Sequence, residues 1–101
     1  MLEKVFKHTN AEENLLWDFC LTQYLPTYLF GLMAGNYVEF KTKLKHRGVT
    51  FNIYCRDSLK EQMEDMKDFI WEVNKKSMQF YEEFFGVEYQ FDKYDSVFVP
   101  E

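Results

Sequence analysis

The feature that most constrains the fold is a long amphipathic segment between Leu59 and Phe85. Apolar side chains recur there at alternating steps of three and four residues, which is the spacing of one face of an α-helix. The face comprises Leu59, Met63, Met66, Ile70, Val73, Ser77, Phe80 or Tyr81, and Phe84. We therefore predict a helix about 40 Å long, at roughly 1.5 Å per residue, that buries this face.

Both ends of the predicted helix carry sequence signals. Ser58 followed three residues later by Glu61 is a capping box, which satisfies the amide donors of the first turn. At the other end, Gly86 can adopt the left-handed conformation that closes a helix. The spacing also fits a coiled coil, but the aromatic side chains are too bulky and too widely spread for a narrow seam, which favours a helix that packs on a core.

Two runs before the helix have the period of two that is typical of half-buried strands. Val49, Phe51, Ile53 and Cys55 alternate with polar neighbours, and Tyr37–Leu44 can pair with them through a turn at Lys45–Gly48. Tyr28–Ala34, which ends at the turn signal Gly35-Asn36, predicts a third antiparallel strand. After the helix, Tyr94–Val99 alternates again and is stopped by Pro100.

These elements predict an α+β fold, in which a short antiparallel β meander is followed by one long amphipathic helix and a final strand. The N-terminal region, up to Leu25, leaves two alternatives open. Asn10 with Glu13 fits a second capping box and a helix through Leu15, Leu16 and Phe19, whereas Trp17–Leu21 also fits an extended strand.

Composition excludes several classes of protein. A chain that is 47% hydrophobic and 20% aromatic is not disordered. Its apolar surface exceeds what a core of 101 residues hides, which suggests a neighbouring partner. A net charge of -5 argues against nucleic-acid binding. The basic cluster Lys41, Lys43, Lys45, His46 and Arg47 is interpreted as the solvated rim of the hairpin.

Several observations bear on the compartment. The apolar stretch Tyr24 to Ala34 is interrupted by Pro26 and is far shorter than the roughly 20 residues of a membrane span, so none is predicted. The N-terminus lacks the pattern of a signal peptide. Cys20 and Cys55 are too few for a disulfide framework, and Cys55 is expected to be a buried thiol. We expect the cytoplasm or another reducing compartment.

The chain offers little for catalysis. A hydrolytic zinc site commonly needs two histidines one helical turn apart, but His8 and His46 are distant and lie in polar stretches, where surface positions are expected. No local charge activates either cysteine thiol. The carboxylate pairs are Glu12-Glu13, Glu64-Asp65 and Glu82-Glu83, and the last two are assigned to the solvated side of the helix. The four glycines form no phosphate loop. We expect no catalytic, cofactor-binding or metal-binding residue.

Two stretches resemble one family of enzymes. Residues 24–37, Tyr-Leu-Pro-Thr-Tyr-Leu-Phe-Gly-Leu-Met-Ala-Gly-Asn-Tyr, resemble a strand and the turn that follows it in aminopeptidase N-like proteins. Residues 77–101 resemble the family segment F-(F/Y)-E-x-x-F-G-x-x-Y-P-x-x-K-x-D-x-V-x-x-P, with Gln90 in place of proline. Arg47-Gly48 and the run Ile53-Tyr54-Cys55-Arg56 also fit, so the resemblance covers residues 17–101.

The resemblance implies a partial chain of a zinc metallo-aminopeptidase, a hydrolase of peptides. Residues 1–57 would end the N-terminal β domain, and residues 58–101 would begin the thermolysin-like catalytic domain. In the family, the G-A-M-E-N substrate motif and the HExxH zinc motif follow the position that matches Glu101. No catalytic, zinc-binding or substrate-anchoring residue of the family can therefore be placed on this chain, and zinc belongs to the parent family.

Two functional hypotheses follow from the sequence. The first is a segment of a metallo-aminopeptidase that is inert alone and meets its peptide substrate only when the remainder of the polypeptide is present. The second is a non-catalytic interaction subunit of a larger assembly, derived from a truncated aminopeptidase. Both need a protein partner or the missing remainder of the enzyme.

Overall fold

The structure is a computed structural model that describes residues 4–8 and 15–99, with side chains from Phe19 onward. The capping box predicted at Asn10 and Glu13 lies outside the described residues. The chain divides into two compact units, residues 1–32 and residues 33–101, which are described separately.

The first unit contains a two-stranded antiparallel sheet. β1 (Lys4–His8) pairs with β2 (Leu15–Phe19), and Lys4 lies opposite Phe19. The extended alternative for this region is thus confirmed. The strand predicted at Tyr28–Ala34 is wrong, because Thr27–Leu29 forms a 3-10 turn in which the Leu29 amide donates to the Pro26 carbonyl at 3.1 Å. Local hydrogen bonds have replaced pairing with another strand.

The second unit is built on the predicted hairpin, which is confirmed. β3 (Tyr37–His46) and β4 (Val49–Arg56) are antiparallel, and they are joined by Arg47 and Gly48. Both turn residues have positive φ, with Arg47 at φ 51 degrees and Gly48 at φ 79 degrees. This is the pattern of a type I′ turn, whose twist matches that of the strands. The turn is shorter than the predicted Lys45–Gly48.

A long helix and a last strand complete the second unit. α1 (Lys60–Phe85) connects β4 to β5 (Lys93–Val97), which lies parallel to β4 and gives the sheet order β3-β4-β5. Parallel neighbours need a long crossover connection, and the helix supplies it. The predicted α+β class, with antiparallel strands before one long helix and a final strand after it, is confirmed.

The two ends of α1 differ from each other in how well the sequence predicted them. The capping box is wrong: Asp57–Leu59 forms a 3-10 turn, so Ser58 lies inside a turn and Leu59 occupies the N-cap without a side-chain hydrogen bond. The C-terminus is confirmed, because Gly86 is left-handed at φ 68 degrees. Its amide donates to the Glu82 carbonyl at 2.9 Å.

The core of the second unit lies between the sheet and one face of α1. The alternating residues of β4 predicted to face the core are all buried there, and Phe51, Ile53 and Cys55 are fully buried. The core consists of Phe40, Val49, Phe51, Ile53, Cys55, Met63, Trp71 and Met78. Because α1 contributes to it, the core-packing interpretation is confirmed over the coiled coil.

The helix buries a different face from the predicted one. Met63, Trp71, Met78 and Glu82 are buried, whereas the predicted Met66, Val73, Phe80 and Phe84 are exposed. Of the predicted face, Met63 is buried and Ile70 packs partly against the core. The two faces lie roughly a third of a turn apart around the helix.

Polar residues on the buried face of α1 explain why the hydrophobic pattern predicts a different face. The Lys67 amine lies 5.6 Å from the ring centroid of Phe40 and 5.9 Å from that of Trp71. Both separations are within cation–π range. The Asn74 side chain donates to the Ser96 hydroxyl at 3.0 Å. The face that packs on the sheet therefore contains polar residues with partners, and a hydrophobicity pattern does not detect it.

The corrected face can be tested with two substitutions. Met78→Ala should lower the free energy of unfolding by roughly 2–5 kcal/mol, the cost of truncating a buried methionine. Phe80→Ala should change it by less than about 0.5 kcal/mol, as is usual for surface positions. Phe80 is 59% exposed. Urea unfolding followed by far-ultraviolet circular dichroism measures both, and a larger loss for Phe80→Ala would restore the predicted face.

The left-handed C-cap gives a second test. Gly86→Ala should destabilise the chain by roughly 1 to roughly 2 kcal/mol, because a Cβ is unfavourable at positive φ. The strain is conformational, since nothing lies within 4 Å of the added Cβ. Gly31→Ala is the matched control, because a Cβ there also meets nothing within 4 Å and the residue has no positive φ. Equal effects in thermal unfolding would contradict the proposed role of Gly86.

Candidate functional site

The most buried ionisable cluster in the described residues centres on Glu82, near the C-terminus of α1. Glu82 Oε1 pairs with His46 Nε2, and the side chains of His46 and Glu82 are only 10% and 7% exposed. The Tyr89 amide donates to the other carboxylate oxygen, Oε2, at 2.9 Å. Beside this cluster, Arg47 Nη1 donates to Glu88 Oε1 on the surface.

Local geometry brings these residues together. His46 is the last residue of β3, and the two-residue turn that follows holds the hairpin end in position. The left-handed Gly86 ends α1 one turn after Glu82 and redirects the chain, so that the amide of Tyr89 returns to the carboxylate. One carboxylate thus connects the hairpin, the end of the helix and the loop before β5.

The electrostatics favour a structural role for Glu82. The hydrogen bond from the Tyr89 amide, followed by the one with His46, holds the pKa of Glu82 below its usual value, against the opposing effect of burial. Both oxygens already have partners, so the carboxylate is not placed to accept a proton from a substrate. The Glu82 cluster therefore links the end of β3, the C-terminus of α1 and the loop before β5.

This cluster corrects two predictions. The sequence predicts His46 on the solvated hairpin rim, but its ring is buried against the helix because Glu82 offsets the cost of removing it from water. Glu82 was assigned with Glu83 to the solvated side of the helix, and only Glu83 is exposed. The signal that identifies Glu82 is its spacing of four residues from Met78, which continues the buried face.

A second polar group lies on the face of the sheet that faces away from α1. Asn52 Nδ2 donates to Asp95 Oδ1 at 2.8 Å, and Lys93 Nζ lies 2.7 Å from Asp95 Oδ2. These contacts tie β4 to β5. On the helix side, the Tyr89 hydroxyl donates to the Lys93 carbonyl at 3.0 Å, and burial raises the pKa of Tyr89 to about 12. The tyrosine therefore stays protonated at neutral pH.

The Cys55 thiol is buried, and no metal site forms among the described residues. The predicted burial of Cys55 is confirmed, and this burial, with a smaller contribution from Asp57, raises the pKa of its thiol. No group of three or more His, Cys, Asp or Glu side chains within residues 19–99 is arranged to hold a metal ion. Since His46 Nε2 pairs with Glu82, these residues do not fit a hydrolytic zinc site.

A large apolar surface lies on α1. We name the exposed residues Met66, Phe69, Val73, Phe80 and Phe84 the apolar stripe; these residues are between 44% and 70% exposed. At its C-terminal end the Phe80 and Phe84 rings pack on each other, with centroids 5.9 Å apart. Beside the stripe, the Tyr81 and Phe85 rings pack in the same way, with centroids 6.0 Å apart. Groups of exposed large apolar side chains are typical of surfaces that contact another protein.

An apolar groove adjoins the stripe. It has a volume of about 440 Å³ and lies between the last turns of α1 and the segment that follows. Its lining includes Ser77, Met78, Tyr81, Phe85, Val87 and Tyr89. The size is that of a pocket that accepts apolar side chains.

A search of the described helices for one with the length and hydropathy of a bilayer span finds none.

Comparison with known proteins identifies a relative of much greater length. Over 95 residues, the chain is 35% identical to an aminopeptidase N from Streptomyces lividans, and the match covers 92% of this chain but 11% of that protein. No protein-family profile and no solved structure matches the chain. The resemblance inferred from residues 17–101 is confirmed, and this chain spans about a tenth of the relative's length.

The Glu82 cluster predicts that the stability of the chain depends on pH. The folded-state pKa of Glu82 lies below its unfolded value. Its contribution to stability is therefore present above about pH 4.3, the unfolded pKa, and is lost as the pH falls toward the folded pKa. Glu82→Gln should lower the melting temperature by several degrees at neutral pH and flatten its decline in acid. Glu83→Gln, an exposed neighbour, should do neither.

Melting temperatures measured across acid and neutral pH provide the test. The sign is fixed by linkage, since the unfolded carboxyl binds a proton at a higher pH than the folded one. An acid profile for Glu82→Gln that is indistinguishable from the wild type would show that the carboxylate does not hold the three segments together.

Proposed function

Since the chain is an aminopeptidase N-like segment, we propose that it forms part of a zinc-dependent metallo-aminopeptidase that removes N-terminal residues from peptides. The identity of 35% over 95 residues carries this proposal. Zinc, the general base and the group that binds the substrate amine come from sequence outside this chain. The segment is not competent for catalysis alone.

We further propose that residues 1–57 end an N-terminal β domain and that residues 58–101 begin the catalytic domain. The sheet supports a close connection between the two, because β4 before this boundary pairs with β5 after it. A shared sheet needs no flexible linker, and the sequence contains none.

The role of the segment within such an enzyme is to hold the backbone of β5, and of the chain that follows it, in a fixed position. The Phe98 amide donates to the Tyr54 carbonyl at 2.8 Å, which extends the pairing with β4 beyond the end of β5. Asp95, held by Asn52 and Lys93, fixes the register of the two strands. In the resembled family, the substrate-binding motif follows this strand, so the rigidity of β5 is transmitted to the substrate site.

A peptidase assay tests the proposal in two parts. The isolated chain, with added zinc and an aminoacyl fluorogenic substrate, should show no turnover, and chelator-sensitive turnover would contradict this. A hybrid of the Streptomyces protein, in which this chain replaces the matched 95 residues, should hydrolyse the same substrate. A hybrid with a scrambled insert is the control and should be inactive.

The exposed apolar stripe favours one alternative, a non-catalytic interaction subunit of a larger assembly. In that case the hybrid would fold without activity, because the segment would have diverged from its catalytic context. A hybrid as active as the Streptomyces protein itself would contradict this alternative.

A further inference from the structure

Resting on the proposed function, we propose that the apolar stripe of α1 is the surface on which the remainder of an aminopeptidase polypeptide packs. The helix α1 then contributes one face to each of two cores. Its face around Met78 packs on the sheet of the second unit, and its face around Phe80 packs on protein outside residues 1–101.

The dimensions of the stripe suit the packing of another structural element. From Met66 to Phe84 the helix rises about 27 Å, at roughly 1.5 Å per residue, which is the length of a complete helix or of a long strand. Phe84 is 70% exposed although the neighbouring rings contact it. Aromatic side chains that leave so much surface in water gain most when a partner covers them.

The groove beside the stripe supports a shaped interface. A volume of about 440 Å³ lined by Met78, Tyr81 and Phe85 can receive side chains from the packing element. Polar residues border the stripe on its other side, where Lys76 Nζ lies 2.7 Å from Glu72 Oε1. An apolar centre with a charged rim is the usual composition of a protein interface.

A second copy of this chain is a poorer partner for the stripe. Each copy carries a net charge of -5, so association of two copies brings like charges together. The phenylalanine rings are also too bulky and too widely spread for the regular knobs-into-holes packing of two identical helices.

The comparison supports the remainder of a longer polypeptide as the partner. The matched region is 11% of the Streptomyces protein, so a segment of this kind is embedded there in a chain about nine times as long. Within residues 19–99, the core of the second unit is complete without the stripe. The surface that this core leaves exposed is therefore available to the surrounding polypeptide.

The hybrid described above allows a direct test. Phe80→Ala and Phe84→Ala should leave the thermal unfolding of the isolated chain unchanged. In the hybrid they should lower the unfolding temperature and shorten the half-life of activity at a fixed elevated temperature by on the order of tenfold. Met78→Ala should destabilise both proteins, whereas Glu83→Ala, an exposed neighbour on the same helix, should affect neither.

The outcomes separate this inference from the proposed function. A folded but inactive hybrid counts against the proposed function, and its unfolding temperature still reports whether the stripe is covered. An active hybrid that tolerates Phe80→Ala and Phe84→Ala would overturn the inference alone. An isolated chain that sediments as a dimer, and as a monomer after Phe80→Ala, would assign the stripe to a second copy. A hybrid that does not fold counts against both.

Discussion

The second unit depends on the burial of one side of β4. This strand has a partner on each edge, β3 and β5, so its alternate side chains have one available cover, the face of α1. Phe51 and Ile53 are fully buried there. Full burial of such a side chain contributes roughly 1.5–3 kcal/mol. The helix must then extend beyond the length of the strand, because it also returns the chain to begin a parallel neighbour.

The carboxylate of Glu82 fixes the far end of that helix. An isolated buried charge is costly, but His46 and the Tyr89 amide supply partners to both oxygens. The same contacts determine where the loop before β5 starts, and β5 in turn is held by Asp95. The chain beyond α1 is thus positioned by a sequence of polar contacts rather than by a second apolar core.

The sequence predicted the elements that follow from local pattern. The hairpin and its buried residues were found because the period of two persists through Cys55, and Gly86 marked the helix end because only glycine adopts positive φ there without strain. Tyr28–Ala34 was misassigned because apolar composition alone does not distinguish a strand from a turn after Pro26. The parallel pairing of β5 depends on the helix crossover, which no local pattern reports.

The Glu82 cluster is harder to predict than the fold, because His46 and Glu82 look like surface residues in the sequence. His46 follows a lysine-rich run, and Glu82 precedes another glutamate, so each one resembles a solvated position until the fold brings them together. The resemblance to aminopeptidase N, in contrast, is recognisable from the sequence because it rests on residue types in a fixed order along residues 77–101 and needs no knowledge of the fold.

The error over the helix face has the same physical origin as the apolar stripe. A single helix carries two apolar faces here, and the more hydrophobic one is exposed in residues 19–99. Hydrophobic periodicity identifies surface that must be covered but does not say by what. In a self-contained domain the strongest stripe and the core coincide. Their separation on α1 shows that the core on the sheet forms without the face around Phe80, and the proposed contact with the remainder of the polypeptide rests on this separation.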